Sequence, residues 1–178
     1  MKPKNELLEQ AAQTGFEYER IYKGCAQCTI AAVQDALGLK NDTVFKAASG
    51  LAGGCGGTCE GVCGGLSGGI MMMSTCFGRT REGFDGDVED KRCAARMAQA
   101  LHQKFVETYG SSICKNIHGK IFGRTFDFWD KDDKQAFEDA GAHVDKCPSV
   151  VANASRWTAE LILDELERRG IALENFSL

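Results

Sequence analysis

The chain has 178 residues, 43% of them hydrophobic, which is the size and the apolar content of one domain with a sizeable core. Its 21 basic and 25 acidic residues leave a net charge of -4, which argues against nucleic acid as a main partner, because nothing neutralises a phosphate backbone. Nine cysteines and 21 glycines fall short of a disulfide scaffold or a collagen, yet both are in excess and need a function.

The periodicity is helical almost throughout. Asn5 to Gln13 reads as a short helix stopped by Gly15, within an N-terminal stretch at 1–19. Gly24 leads into CAQCTIAAVQDALG, with Ile30, Val33 and Leu37 on one side and Gly38 as the C-cap. Asn41-Asp42-Thr43 caps a third helix that turns Val44, Phe45 and Ala48 inward. The Gly/Cys-rich stretch that follows reads as a loop from Ser49 to about Gly57 and a helix from Cys59 to Thr75. Gly61, Gly65 and Gly69 fall four apart there, a spacing that lets a neighbouring backbone approach closely. Val88 to Tyr109 is the longest clean helix, with Val88, Cys93, Met97, Ala100, Leu101, Phe105 and Val106 on its apolar stripe. Ser111 to Cys114 opens a short element ending near Gly119, and the aromatic GKIFGRTFDFWDKDD reads as a partly packed loop. Asp133 to Ala140 forms a short helix. Cys147-Pro148 leads into a final amphipathic helix with Val151, Ala154, Trp157, Leu161 and Ile162 inward, to about Arg169. No alternating strand pattern appears. The fold class is all-α, a single-domain helical bundle spanning 1–178 with the Gly/Cys-rich segment at its core.

The N-terminus has no apolar h-region, and the Ile70–Met73 run is far short of a membrane span, so a cytoplasmic protein without a membrane partner is expected. Clustered cysteines in that compartment point to metal, cluster or catalytic use rather than structural disulfides. Cys25 and Cys28 form a C-x-x-C at a helix start, where two thiols one turn apart can share a metal or close a disulfide. The helix dipole there favours the thiolate. Cys55, Cys59 and Cys63 form C-x3-C-x3-C, and within one helix Cys59 and Cys63 would share a face. The surrounding glycines leave room for an inorganic group. Cys114 and Cys147 also stand at helix entrances.

GCAQCTIAAVQDALGL, AASGLAGGCGG, CGGLSGGIMM, YGSSICKNIHG and the isolated Cys147, in this order, resemble the redox-active protein family named for its C, GCAxxG, C, C pattern, related to the split-Soret cytochrome domain. The resemblance runs over about 20–165. It implies a small helical redox protein and places the family's cysteines on Cys25, Cys63, Cys114 and Cys147, with Gly64 and Gly68 as the glycines of the motif. It further implies an iron–sulfur cluster, [4Fe–4S] or [2Fe–2S], held by these four thiolates. Cys28, Cys55 and Cys59 are additional to the family pattern and, lying close by in sequence, are further candidate metal ligands. The motif reads CGGLSGG here, looser than the family name, and no C-x-x-C-H is present to attach haem c.

The same thiols suit other chemistry. A dithiol oxidoreductase would cycle Cys25 and Cys28 through a disulfide, and four thiolates would equally hold structural zinc in an interaction module. His118 near Cys114, and His143 four before Cys147, are candidate extra ligands. Cys93 belongs to an apolar stripe and Met71 to Met73 to the core. An electron-transfer role calls for a redox partner protein. The small-residue helix offers a surface for a homodimer.

Overall fold

The computed structural model describes residues 2–86 and 88–178. The helices are α1 (Lys4–Tyr22), α2 (Cys25–Leu37), α3 (Asp42–Ala47), α4 (Gly64–Phe77), α5 (Val88–Tyr109), α6 (Cys114–Phe122), α7 (Lys131–Asp139) and α8 (Cys147–Arg168). Short 3-10 turns occupy Ser49–Leu51 and Leu173–Asn175, and a π-turn at Ala142–Lys146 precedes α8. Among the described residues there is no strand, only an isolated antiparallel bridge between Val62 and Ile113, so the fold is all-α. No described helix is long and apolar enough to cross a membrane.

Several helix ends follow the sequence signals. Gly38 closes α2 in the left-handed region, and the Asn41 side chain accepts a hydrogen bond from Val44 N at the start of α3. Asp130 caps α7 through Asp133 N. Other ends differ. Gly15 does not stop α1, which continues to Tyr22, because a side chain there would run into Ser155 of α8. Gly15 is a contact glycine. Likewise α6 runs past Gly119 to Gly123, the residue that takes the left-handed C-cap conformation. Val88, expected inward, is exposed at the first turn of α5.

The largest departure is at α4. Its helix begins at Gly64, not Cys59, and Cys59 stands in the preceding loop with φ +58. Cys59 and Cys63 therefore share no helical face. The helix that does form carries two rows of glycine. A Cβ on Gly64 or Gly68 would meet Cys25 and Ala26 of α2, and one on Gly65 or Gly69 would meet Ala154 and Thr158 of α8. Each interior glycine costs about 1 kcal/mol against alanine, and close packing on both sides offsets it. Since α2 and α8 of the same chain cover both rows, that small-residue surface is not free to pair across a two-fold axis.

Helix α8 lies against α1, α2, α4 and α5, so the last helix closes the core that the first ones open. Ile30, Leu66, Met72, Met73, Leu101, Phe105, Ile162 and Leu166 are fully buried in that core. A second, smaller apolar group joins Phe126, Phe137 and Ala142, with Phe122 and Phe128 packed on it. The aromatic stretch before α7 is thus a packed lid beside the main core.

Candidate metal centre

Five consecutive residues, Gly53 to Gly57, have φ between +60 and +77, a left-handed turn that only a run of glycines around Cys55 could adopt. The turn is held by Gly56 N to Gly50 O (2.8 Å) and Cys59 N to Gly53 O (2.9 Å). Beyond it the chain is stapled to the entrance of α6. Cys63 N donates to Ser112 O (2.9 Å), Cys114 N to Gly61 O (3.0 Å) and Lys115 N to Cys59 O (2.9 Å). A Cβ on Gly54 would be 2.7 Å from Cys114 Cβ and 2.9 Å from Cys59 Cα, so glycine there lets the two cysteine backbones approach.

These contacts bring Cys59, Cys114 and His118 together, all buried, with donor atoms within 4.8 Å of one another. Cys59 Sγ is 4.0 Å from His118 Nδ1 and Cys114 Sγ 3.6 Å from His118 Nε2. Cys114 and His118 are one turn apart on α6, and the imidazole is surrounded by the rings of Phe122, Phe126, Phe128 and Phe137. Two thiols and an imidazole in this arrangement can hold a metal ion. Cys59 is biased towards thiolate by hydrogen bonding from Cys114 and by His118, whereas Cys114, sharing that proton and buried, is pushed up.

Two members of this cluster, Cys114 and His118, line a cavity of about 520 Å³. Cys25, Cys63, Cys114 and Cys147, the four cysteines of the spaced pattern, all line it. They come from the start of α2, the N-cap of α4, the start of α6 and the start of α8. Burial holds the Cys25 thiol above its ordinary range, with the Glu19 carboxylate adding to the effect, and pushes Cys63 up to about 11. Cys147 is raised well above its usual value by burial and then by Glu19.

The remaining candidates lie elsewhere. Cys28 is buried outside the cavity, its sulfur 3.2 Å from Lys23 O, and burial together with Glu19 raises its pKa. The helix dipole expected to favour thiolates at Cys25 and Cys28 is outweighed by burial and by the Glu19 charge. All nine cysteines are free thiols, including this pair. Cys55 is exposed, Cys76 is half-buried against the core, and Cys93 is buried, its thiol donating to Glu165 (3.2 Å). Gly64 and Gly68 do not line the cavity; they seat α2, and Gly64 lies directly under the Cys25 sulfur. His143 does line the cavity, with its Nδ1 2.9 Å from Glu138 Oε2.

No motif singles out Glu19, although the helical period carries its signal. Leu7, Ala11, Gly15 and Glu19 form one i, i+4 row of α1, all buried, with a carboxylate as its last member.

An all-helical fold that gathers cysteines from four chain segments around one cavity defines a cysteine-patterned helical protein with a metal-capable site. The chain belongs to the family described as redox-active and named for its C_GCAxxG_C_C pattern, whose model matches residues 24–161. No curated protein and no solved structure matches it.

Proposed function

We propose that the protein is a redox protein whose working centre is a thiolate-bound metal in this cavity. The observation that carries the reading is the gathering of Cys59, Cys114 and His118, with donor atoms within 4.8 Å of one another, beside a cavity that Cys114 and His118 line. The donor set suits a single iron, which would carry the redox step, or zinc, which would hold the fold and leave redox chemistry to the thiols, and it needs no helix to move. The chemistry of the wall fits a cation as well. Thiols that burial keeps protonated become good ligands only when a positive charge replaces the lost solvation. Cys25, Cys63 and Cys147 face the same space and can supply further ligands.

The cavity itself favours a second reading. An iron–sulfur cluster spreads its thiolates further apart than one ion does, and Cys25, Cys63, Cys114 and Cys147, from four chain segments, line a space of about 520 Å³. Such a group, when bound, would supply one-electron transfer to a partner protein. The Cys25/Cys28 dithiol has less support, because one thiol faces the cavity, the other does not, and neither is biased to thiolate.

Anaerobic purification followed by metal and sulfide analysis tests the proposal. A mononuclear centre predicts one metal per chain without acid-labile sulfide, lost in Cys59→Ala and His118→Ala. Iron with acid-labile sulfide and visible absorption, lost in Cys25→Ala and Cys63→Ala, would establish the cluster. Metal-free wild-type protein after anaerobic handling and reconstitution would refute a metal centre.

A further inference from the structure

Cys59 and Cys114 come from two segments that are hydrogen-bonded to each other along the backbone. Cys114 N donates to Gly61 O at 3.0 Å and Lys115 N to Cys59 O at 2.9 Å, so the loop before α4 and the entrance of α6 run side by side. A point 2.7 Å from Cys114 Cβ and 2.9 Å from Cys59 Cα is where a side chain on Gly54 would begin. The two Sγ atoms lie within 4.8 Å of each other. A disulfide needs sulfurs about 2.0 Å apart, and from this starting point side-chain rotation with a small shift of the loop closes the gap. Cys59, in that loop with φ +58, gives way without breaking a helix.

We propose that Cys59 and Cys114 are a redox-active pair that closes to a disulfide in the metal-free protein, with hydrogen peroxide as the oxidant. Cys114 lines the cavity together with Trp129 and Lys134, both exposed, so a molecule as small as peroxide reaches its sulfur from solvent. The Cys114 sulfur attacks one peroxide oxygen. An S–O bond forms, the O–O bond breaks, and the thiol proton leaves with the departing oxygen as water. Cys59 then attacks the sulfenic sulfur of Cys114. The S–S bond forms, the S–O bond breaks, and the hydroxyl takes the Cys59 proton and leaves as a second water. The two sulfurs together give two electrons to the peroxide, and a dithiol reductant returns them by thiol–disulfide exchange.

The bond takes two of the three gathered donors at once. The thiolate is the metal ligand, so after oxidation His118 is the one donor of the three that remains. Metal and disulfide therefore exclude each other, and occupancy of the centre follows the redox conditions around it. This coupling rests on the metal-centre reading; the disulfide itself does not. His118 stays in place through the cycle, because the rings of Phe122, Phe126, Phe128 and Phe137 pack around it. Reduction then restores the same three donors. The Cys25/Cys28 pair has no such arrangement, since Cys25 lines the cavity while the Cys28 sulfur lies 3.2 Å from Lys23 O outside it.

The test uses reduced, metal-free Cys55→Gly protein, which lacks the exposed thiol and keeps the three donors. It is treated with hydrogen peroxide, the remaining thiols are alkylated, and unreduced proteolytic peptides are read by fragmentation mass spectrometry. The expected product is a monomer with Cys59 linked to Cys114, reopened by dithiothreitol. Absence of that link after peroxide treatment, or linkage of either cysteine to a different one in its place, overturns the pair. Zinc is the probe for the coupling. Reduced protein should bind it at least about tenfold more tightly than peroxide-treated protein, and zinc-loaded protein should form the link at least about tenfold more slowly. Equal zinc affinity before and after the link forms overturns the exclusion. Absence of zinc uptake by the reduced protein would refute the metal centre and the coupling with it, while the linked peptides would still establish the pair.

Discussion

Replacing Gly68 by alanine tests the close backbone contact between α4 and α2. The new Cβ would stand 3.0 Å from both Cα and C of Ala26, and closer still to its carbonyl oxygen. Carbon atoms in good contact are about 3.5 Å apart or more, and all three neighbours are backbone, which cannot rotate aside. Helices α2 and α4 must separate. Overpacking of this kind costs about 1–3 kcal/mol, and immovable neighbours place this site at the upper end. Alanine returns about 1 kcal/mol of helix propensity, leaving a net loss of about 2 kcal/mol. Gly119 is the control, since it also lies inside a helix but has no atom within 4 Å of a new Cβ. Gly119→Ala should gain up to about 1 kcal/mol. Urea unfolding followed by circular dichroism compares the two at equal m-values. If Gly68→Ala matched Gly119→Ala in stability, the argument for backbone contact would be wrong.

Other consequences are as direct. Cys55 is exposed and holds φ +74, so Cys55→Gly should stabilise the protein by about 0.5–1 kcal/mol in the same assay without changing metal content. Glu165, hydrogen-bonded to Arg168, Arg169 and Cys93, has its carboxyl held down to about 2. A depressed carboxylate stabilises the fold above its unfolded value of 4.5, and that stability is lost as pH falls from 4.5 through about 2. Glu165→Gln should remove this acid-side slope and, in thermal unfolding at pH 7, lower stability by about 2 kcal/mol. Glu19 has the opposite sign: raised to about 7, it makes the metal-free protein lose stability as pH climbs from 4.5 through 7. Melting temperatures of Glu19→Gln that fall as steeply over that window would contradict the assignment.

Where local chemistry decides structure, the sequence was readable. Gly38 and Asn41 cap where their types predict, and the α5 pattern gives that helix its observed ends. The resemblance pointed to Cys25, Cys63, Cys114 and Cys147, and those four do line one cavity. What stayed illegible depends on contacts between distant segments. Gly15 looks like a helix stop until Ser155 is placed against it. Cys59 looks helical because its spacing to Cys63 is right, but hydrogen bonds from Cys114 and Lys115 to the Gly61 and Cys59 carbonyls hold the chain in a non-helical loop instead. The flanking glycines of Cys55 were the one local hint of a turn. Helix period alone cannot tell that α4 starts one residue after Cys63, because glycine carries no side chain by which a helical face could be read.

The order in which the cavity acquires its walls also has a consequence for synthesis. A ribosome delivers Cys25 first, then Cys63, Cys114 and finally Cys147, and the helix that starts at Cys147 is the one lying against α1, α2, α4 and α5. A nascent chain thus emerges with its early thiols exposed and its last wall still unmade. A group that needs all four thiols could enter only once α8 has docked, and until then the reduced thiols depend on their surroundings for protection from oxidants and stray thiophilic ions.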